Sequence, residues 1–174
     1  MNFTHKNIAI IFFLLTGIFF FQLSLFSQVK SDATQDSSNS IIIHQEIDFK
    51  ETPQRLYQTL LSSKEFSACT KKSFNSFSEM SANIDSTVGG TFSLFDGHII
   101  GRILELVPNE RIVEAWRVVD WPDGIYSVAN FKFKQQGSGT HLIFDHIGFP
   151  QGLKEHLSIG WQQHYWDALH YYFQ

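Results

Sequence analysis

Apolar and polar residues alternate along Ile41 to Phe49, putting Ile41, Ile43, Ile47 and Phe49 on one side. That two-residue period predicts a strand with one buried face. Val88 to Gly124 carries three more strand-like runs, broken at Asp96-Gly97, Pro108-Asn109 and Trp121-Pro122-Asp123-Gly124. Asp-Gly between apolar runs signals a tight hairpin, because both central residues of such a turn need positive φ. Once the turns are placed, strand register follows, and with it the residues that share a face.

A two-residue turn at Asp96-Gly97 sets Leu94 opposite Ile99 and Phe92 opposite Gly101. One at Pro108-Asn109 sets Gly101 opposite Trp116 and Ile103 opposite Glu114. A turn at Pro122 to Gly124 would set Trp116 opposite Phe131 and Val118 opposite Ala129. The polar turn Gln136-Gly137-Ser138-Gly139 would set Phe131 opposite Phe144 and Ala129 opposite His146. A five-stranded antiparallel meander results, with Phe92, Gly101, Trp116, Phe131 and Phe144 in one inward row. Gly101 against Trp116 reads as a size complement that makes room for the indole. Thr91, Ser93, Arg102, Arg117, Lys132 and Asp145 fall on the other, solvated face.

Thr52-Pro53 predicts a helix start, with Thr as N-cap and Pro in the first helical position, and Leu56 and Leu60 as the buried stripe. Ser62 to Thr87 is Ser-rich and poorly periodic, which predicts short helical turns and a long loop. Gln151 to Phe173 has helical periodicity, with Leu153, Leu157, Trp161, Tyr165, Ala168 and Tyr172 on one stripe. Gly160 would cost that helix about 1 kcal/mol against Ala and suggests a bend or a close approach to the sheet. The expected fold is α+β: a curved antiparallel sheet gripping one long C-terminal helix.

The motifs GGTFSLFDG, GRILELVP, IVEAWR, WPDG-x-YS and GWQQHYWDAL occur in this order. Together they resemble the C-terminal domain of activators of the heat-shock protein 90 ATPase. That family belongs to the helix-grip (START-like) group, which also holds lipid-transfer, pollen-allergen and polyketide-cyclase domains. The resemblance covers Ile41 to Phe173 and implies the same sheet-and-helix fold, with a chaperone-related protein partner as one implied role.

Upstream of the domain the composition changes. Lys6 precedes the apolar run Ile8 to Phe21 and a mixed stretch ending at Ser27, the order of a secretory signal. Leu25-Phe26-Ser27 is a poor cleavage site, so an uncleaved anchor is the alternative; Ile8 to Phe26 would rise roughly 28 Å as a helix. Residues 28–40 are nearly devoid of apolar side chains and read as a flexible linker to the domain at 41–174. The expected location is extracytoplasmic, periplasmic or secreted, with membrane contact only through residues 8–26 if they are retained.

The first 27 residues hold one of the 13 basic residues and none of the 17 acidic ones, so the remainder carries a net charge of −5. That balance argues against a nucleic-acid partner. Cys69 is the only cysteine and excludes an internal disulfide.

The chemistry-bearing residues gather at one end of the inward face. Asp120, Ser127 and His146 share parity on neighbouring strands, which has the composition of a catalytic triad. Ser127 sits on a strand rather than a strained elbow, and the simpler expectation is that His146 is a polar group at a cavity mouth. Glu114 is expected at the open rim with its charge in water, or else as a polar anchor for a ligand. His146 and Glu114 are the weak candidates for an acid and base of a cyclase- or hydrolase-like reaction. The histidines at 141, 146, 156, 164 and 170 show no ligand spacing, so neither a metal nor another cofactor is expected. Three functions remain. The first is a non-catalytic module holding a small apolar ligand among Phe92, Trp116, Phe131, Phe144, His146, Trp161 and Tyr165. The second is a protein-interaction module for a client, and the third is the enzyme.

Overall fold

The computed structural model describes residues 42–74 and 80–174; the leader and linker expected at 1–27 and 28–40 lie outside the described residues. Strand β1 is Ile42–Phe49, β2 Asn83–Ile84, β3 Thr91–Leu94, β4 Ile99–Val107, β5 Arg111–Val118, β6 Ser127–Gln136 and β7 Gly139–Ile147. All seven pair antiparallel in the order β1-β7-β6-β5-β4-β3-β2. The expected meander is therefore extended by β1 beside β7 at one edge and by the short β2 at the other.

Register follows turn chemistry closely in two hairpins. Leu94 pairs with Ile99 and Phe92 with Gly101, across a turn in which Asp96 and Gly97 have φ of 56° and 91°. Phe131 pairs with Phe144 and Ala129 with His146, as the Gly137-Ser138 turn requires. In the β4–β5 hairpin, Gly101 pairs with Trp116 and Ile103 with Glu114, but for a different reason than expected. The turn holds three residues, Pro108 to Glu110, with Asn109 at φ 64°, and a β-bulge between Ile103 and Glu105 cancels the extra one.

The β5–β6 connection differs from the expected hairpin. Trp116 pairs with Ser127, Glu114 with Ala129 and Ile112 with Phe131, a shift of four residues. Trp121 is the cause: its ring is buried against Trp116 with ring centroids 5.5 Å apart, so residues 119–126 fold back as a loop. Arg117, expected in solvent, is buried there and donates to the carbonyls of Val118, Val119 and Trp121. The inner rows become Phe92–Gly101–Trp116–Ser127, Ile103–Glu114–Ala129–His146 and Ile112–Phe131–Phe144.

Helix α1, Pro53–Leu61, starts as expected: the Thr52 hydroxyl accepts from the Arg55 N–H, and Leu56 and Leu60 are buried. Helix α2, Ser63–Phe74, replaces much of the expected loop. Its start carries a capping interaction, Glu65 N–H to the Ser62 hydroxyl at 3.3 Å, and it buries Phe66, Cys69 and Thr70. Ser63 and Ser67 accept from the backbone N–H groups of Ile84 and Ala82, which docks the β2 edge onto α2.

The C-terminal helix is not uniform. Helix α3, Lys154–Trp161, passes into a π-helical turn, Gln162–Trp166, before α4, Asp167–Tyr172. A π turn carries an extra residue, which lets Trp166 face inward beside Tyr165 although it lies off the 3.6-residue stripe. Gly160 makes no close approach to the sheet: a Cβ there would meet only His164 Cδ2, at 3.9 Å.

Gly101 is tight, but its neighbour is not the indole expected. A Cβ at Gly101 would collide with the Ala115 carbonyl and the Phe92 ring, whose Cε1 would lie 2.7 Å away. The Phe92 ring covers the glycine from the adjacent strand. Gly101→Val should therefore cost at least about 1–3 kcal/mol, read as a lowered denaturation midpoint. An unchanged midpoint would contradict this packing.

Candidate functional site

Four polar pins hold the helix in the sheet. On β1, Gln45 donates to the Ser158 carbonyl and hydroxyl and accepts from the Trp166 indole N–H at 2.7 Å. On β7, His146 Nδ1 accepts from the Trp161 indole N–H at 2.9 Å. On β5, the Trp116 indole donates to the Tyr165 hydroxyl at 3.4 Å. These bonds cross a packed aromatic layer in which Phe144 lies 4.3 Å from Trp161 and 5.0 Å from Phe131, between ring centroids.

His146 and Ser127 do meet, with Nε2 and Oγ 2.6 Å apart, but not as a catalytic pair. An indole nitrogen can only donate, so the Trp161 bond makes Nδ1 the acceptor and leaves the proton on Nε2. Nε2 then donates to Ser127 Oγ, whose own proton goes to the Trp116 carbonyl at 2.8 Å. Every proton points away from the base that would activate the serine, which is the reverse of what nucleophile activation requires. Asp120 is exposed in the loop after β5 and orients neither residue. His146 is fully buried rather than at a cavity mouth, and burial pushes its pKa down to about 3.

Glu114 is likewise not at an open rim. The residue is half-buried on the inward face, and its carboxyl has no hydrogen-bond partner among the described residues. It faces a cavity of about 10 Å³, room for roughly one water, lined also by Leu60, Phe66, Ile84, Phe92, Leu94, Ile112, Phe131 and Tyr165. Burial pushes its pKa up to about 8, so it is largely protonated at neutral pH. Ala129 separates it from His146 in their row, and His146 does not line this small cavity.

A larger cavity, about 490 Å³ and open on one side, lies at the end of the grip. Trp116, Trp161 and Tyr165 line it, with Phe95, Ile99 and Val118 from the sheet side and Leu157, Ile159 and Gly160 from the helix. Of the seven residues expected to hold a ligand, Trp116, Trp161 and Tyr165 are in this wall. Phe92 and Phe131 line only the small cavity, and Phe144 and His146 line neither. The four-residue shift of β6 explains the difference, since it carries Phe131 away from Trp116 and into the packed layer.

The wall also contains residues that periodicity did not single out. Phe95 takes φ of 53°, a left-handed conformation that is uncommon for a bulky side chain. Its ring packs edge-on against Phe66, Tyr165 and His164. The turn that carries it is held by Asp96, whose carboxylate accepts from the Ser81 N–H and hydroxyl, both at 2.8 Å. Those bonds hold the Asp96 carboxyl below the usual carboxylate range. His164 and Tyr165 reach the cavity from the π turn, and such turns often mark functional sites.

An antiparallel sheet wrapped on a C-terminal helix, with an aromatic cavity at one open end, defines a helix-grip domain. Residues 50–174 match the family described as Activator of Hsp90 ATPase homolog 1-like protein, and the chain belongs to it. The human Activator of 90 kDa heat shock protein ATPase homolog 1 is 28% identical over 121 residues, covering 70% of this chain and 33% of the human protein. An uncharacterized protein of Schizosaccharomyces pombe is 31% identical over 137 residues, covering 78% of this chain and 38% of that protein. The chain thus spans about a third of the length of these curated relatives. Among solved structures, PFC0360w, an HSP90 activator from Plasmodium falciparum, superimposes with a TM-score of 0.65 at 25% identity, covering 72% of this chain and 90% of that one.

Glu114 gives the site a pH signature. Its folded pKa lies above the ordinary carboxylate value, so the unfolded chain releases its proton first. Stability is therefore lost as pH rises from about 4.5 towards 8. Glu114→Gln should remove that loss, so the variant should gain on the wild type as pH rises, by chemical denaturation at both ends of this range. Parallel pH profiles for the two proteins would show the carboxyl to be solvated.

Proposed function

We propose that this protein is an exported, non-catalytic binding module that holds a small apolar molecule in the cavity at the open end of the grip. The observation that carries this reading is the cavity itself. At about 490 Å³ it is in the range of small-molecule sites, and its wall is mostly aromatic and aliphatic. The proton arrangement around Ser127 and His146 speaks against the hydrolytic reading. Glu114 and His146 lie one strand apart with Ala129 between them, and His146 lines neither cavity, which gives the acid–base reading no support.

A second reading has separate support. The human relative is named as an activator of a 90 kDa heat shock protein ATPase, which favours a protein client contacted by the domain surface. Stimulation of such an ATPase by the full chain is the measurement for that reading. An inert ATPase, at concentrations where a known activator works, would remove it.

A neutral apolar fluorophore such as N-phenyl-naphthylamine should bind the full chain with one-site stoichiometry and quench tryptophan emission, since Trp116 and Trp161 are in the wall. Gly160→Leu should block it while keeping the fold, because the added side chain enters the cavity and glycine is a poor helix former. Equal binding by wild type and variant would overturn the cavity assignment. Export rests on Lys6 and the apolar run Ile8 to Phe21. A reporter active only outside the cytoplasm and fused after Ser40 should work, whereas an inactive fusion would remove export.

A further inference from the structure

The outer face of the sheet, on the side away from the aromatic layer, gathers positive charge at one place. Ile112, Phe131 and Phe133 are buried inward, so Arg111, Lys132 and Lys134 project outward from the same two strands. Register sets Arg111 on β5 directly opposite Lys132 on β6, and Lys134 follows two residues further along. Side chains paired in this way have Cβ atoms about 5 Å apart, and like charges there repel. All three line an open cleft of about 300 Å³, together with Val107, Glu110 and Phe133. The chain holds 17 acidic residues against 13 basic ones, so three cations in one wall are not a by-product of composition.

Two of the cations are held from one side only. The β-bulge in β4 turns Glu105 to the outer face, where its carboxylate accepts from Arg111 Nε at 3.1 Å and Nη2 at 2.5 Å. Asp145 on β7 accepts from Lys132 Nζ at 3.3 Å, and its other oxygen lies 2.7 Å from His44 Nδ1. Both pairs are partly exposed, and such pairs are weak enough to admit a competing anion. They leave Arg111 Nη1 and two protons of Lys132 unused. Lys134 has no ion pair among the described residues. His141, its partner on β7, is turned instead to Asp48 at 2.7 Å and Glu46 at 3.2 Å. Glu110 is the one carboxylate in the wall, and it bonds none of the three cations.

An oxyanion seated between Arg111, Lys132 and Lys134 would offset their repulsion and accept charge-assisted hydrogen bonds from each. A carboxylate presents two oxygens, whereas a phosphate group presents three and carries nearly twice the charge. The cleft is at the lower end of the size range of small-molecule sites, which leaves room for more than a bare ion. From this arrangement we infer that the cleft binds the phosphate group of a phosphomonoester, held by Arg111 Nη1, Lys132 Nζ and Lys134 Nζ. The site is on the opposite face of the sheet from the apolar cavity, and the two stand or fall separately.

Phenyl phosphate, titrated into the full chain at constant ionic strength and about pH 7.5, is almost entirely dianionic. Followed by amide chemical shifts, it should saturate one site and move the signals of residues 109–111 and 132–134. Phenyl sulfate, with the same ring and a single charge, should bind about fivefold or more weakly. The double variant Lys132→Gln, Lys134→Gln should lose about tenfold or more in affinity, and Glu110→Gln should bind more tightly. Lys154→Gln, which removes a charge outside the wall, should match the wild type. A phosphoserine peptide that binds more tightly than phenyl phosphate would assign the phosphate to a protein segment, and the reverse order to a small molecule. Shifts that do not saturate, or an equal loss in Lys154→Gln and the double variant, would reduce the effect to general charge attraction and overturn the inference. Equal affinity for the sulfate would overturn the assignment to phosphate.

Discussion

The hydrogen bond from the Trp161 indole to His146 Nδ1 is the constraint on which the rest of the structure turns. It ties the helix to the middle of the sheet at a point with no exposure to water, where an unmade bond would be costly. It also fixes the protons downstream. His146 must be neutral and protonated on Nε2, Ser127 must accept that proton's bond, and Ser127 must donate to the Trp116 carbonyl. A residue set with the composition of a hydrolase is thereby used to fasten a helix. Composition alone could not distinguish the two, because the distinction lies in the direction of three protons.

The same fastening decides where space remains. Trp161, Phe144, Phe131 and Trp166 fill the middle of the grip around the pinned indole. Towards the β3–β4 turn the helix carries Gly160 and then the π turn, and packing opens into the larger cavity. Tyr165 stands on the boundary, with its ring in both cavity walls and its hydroxyl bonded to Trp116. Open space is thus displaced from the centre of the fold to one end of it.

Much of this was legible in the chain, and the parts that were not have specific causes. Asp96-Gly97 and Gly137-Ser138 fixed their hairpins because positive φ leaves few alternatives. The β4–β5 register came out correctly through two compensating features, a third turn residue and a bulge, neither of which has a periodic signal. Trp121-Pro122-Asp123-Gly124 looked like a hairpin but forms a loop, because burial of Trp121 and the carbonyl contacts of Arg117 are tertiary. That one difference moved Phe131 and Phe144 out of the site and brought Ser127 to Trp116. Helix α2 did have a signal, Ser62 and Glu65 three apart before Phe66, Cys69 and Thr70, but its weak apolar stripe hid it. The π turn breaks the 3.6-residue period and so could not be read from it, although it places His164 and Tyr165.

The tautomer and titration of His146, read by nitrogen-detected NMR on the folded protein, test the central claim most directly. The pinned arrangement requires a neutral ring protonated on Nε2, with the indole proton of Trp161 coupled to Nδ1. It also requires that state to persist with acidification towards its pKa of about 3, since protonating Nδ1 would set two donors against each other. A ring protonated on Nδ1, or one that titrates near the ordinary histidine value of about 6.5, would contradict the account.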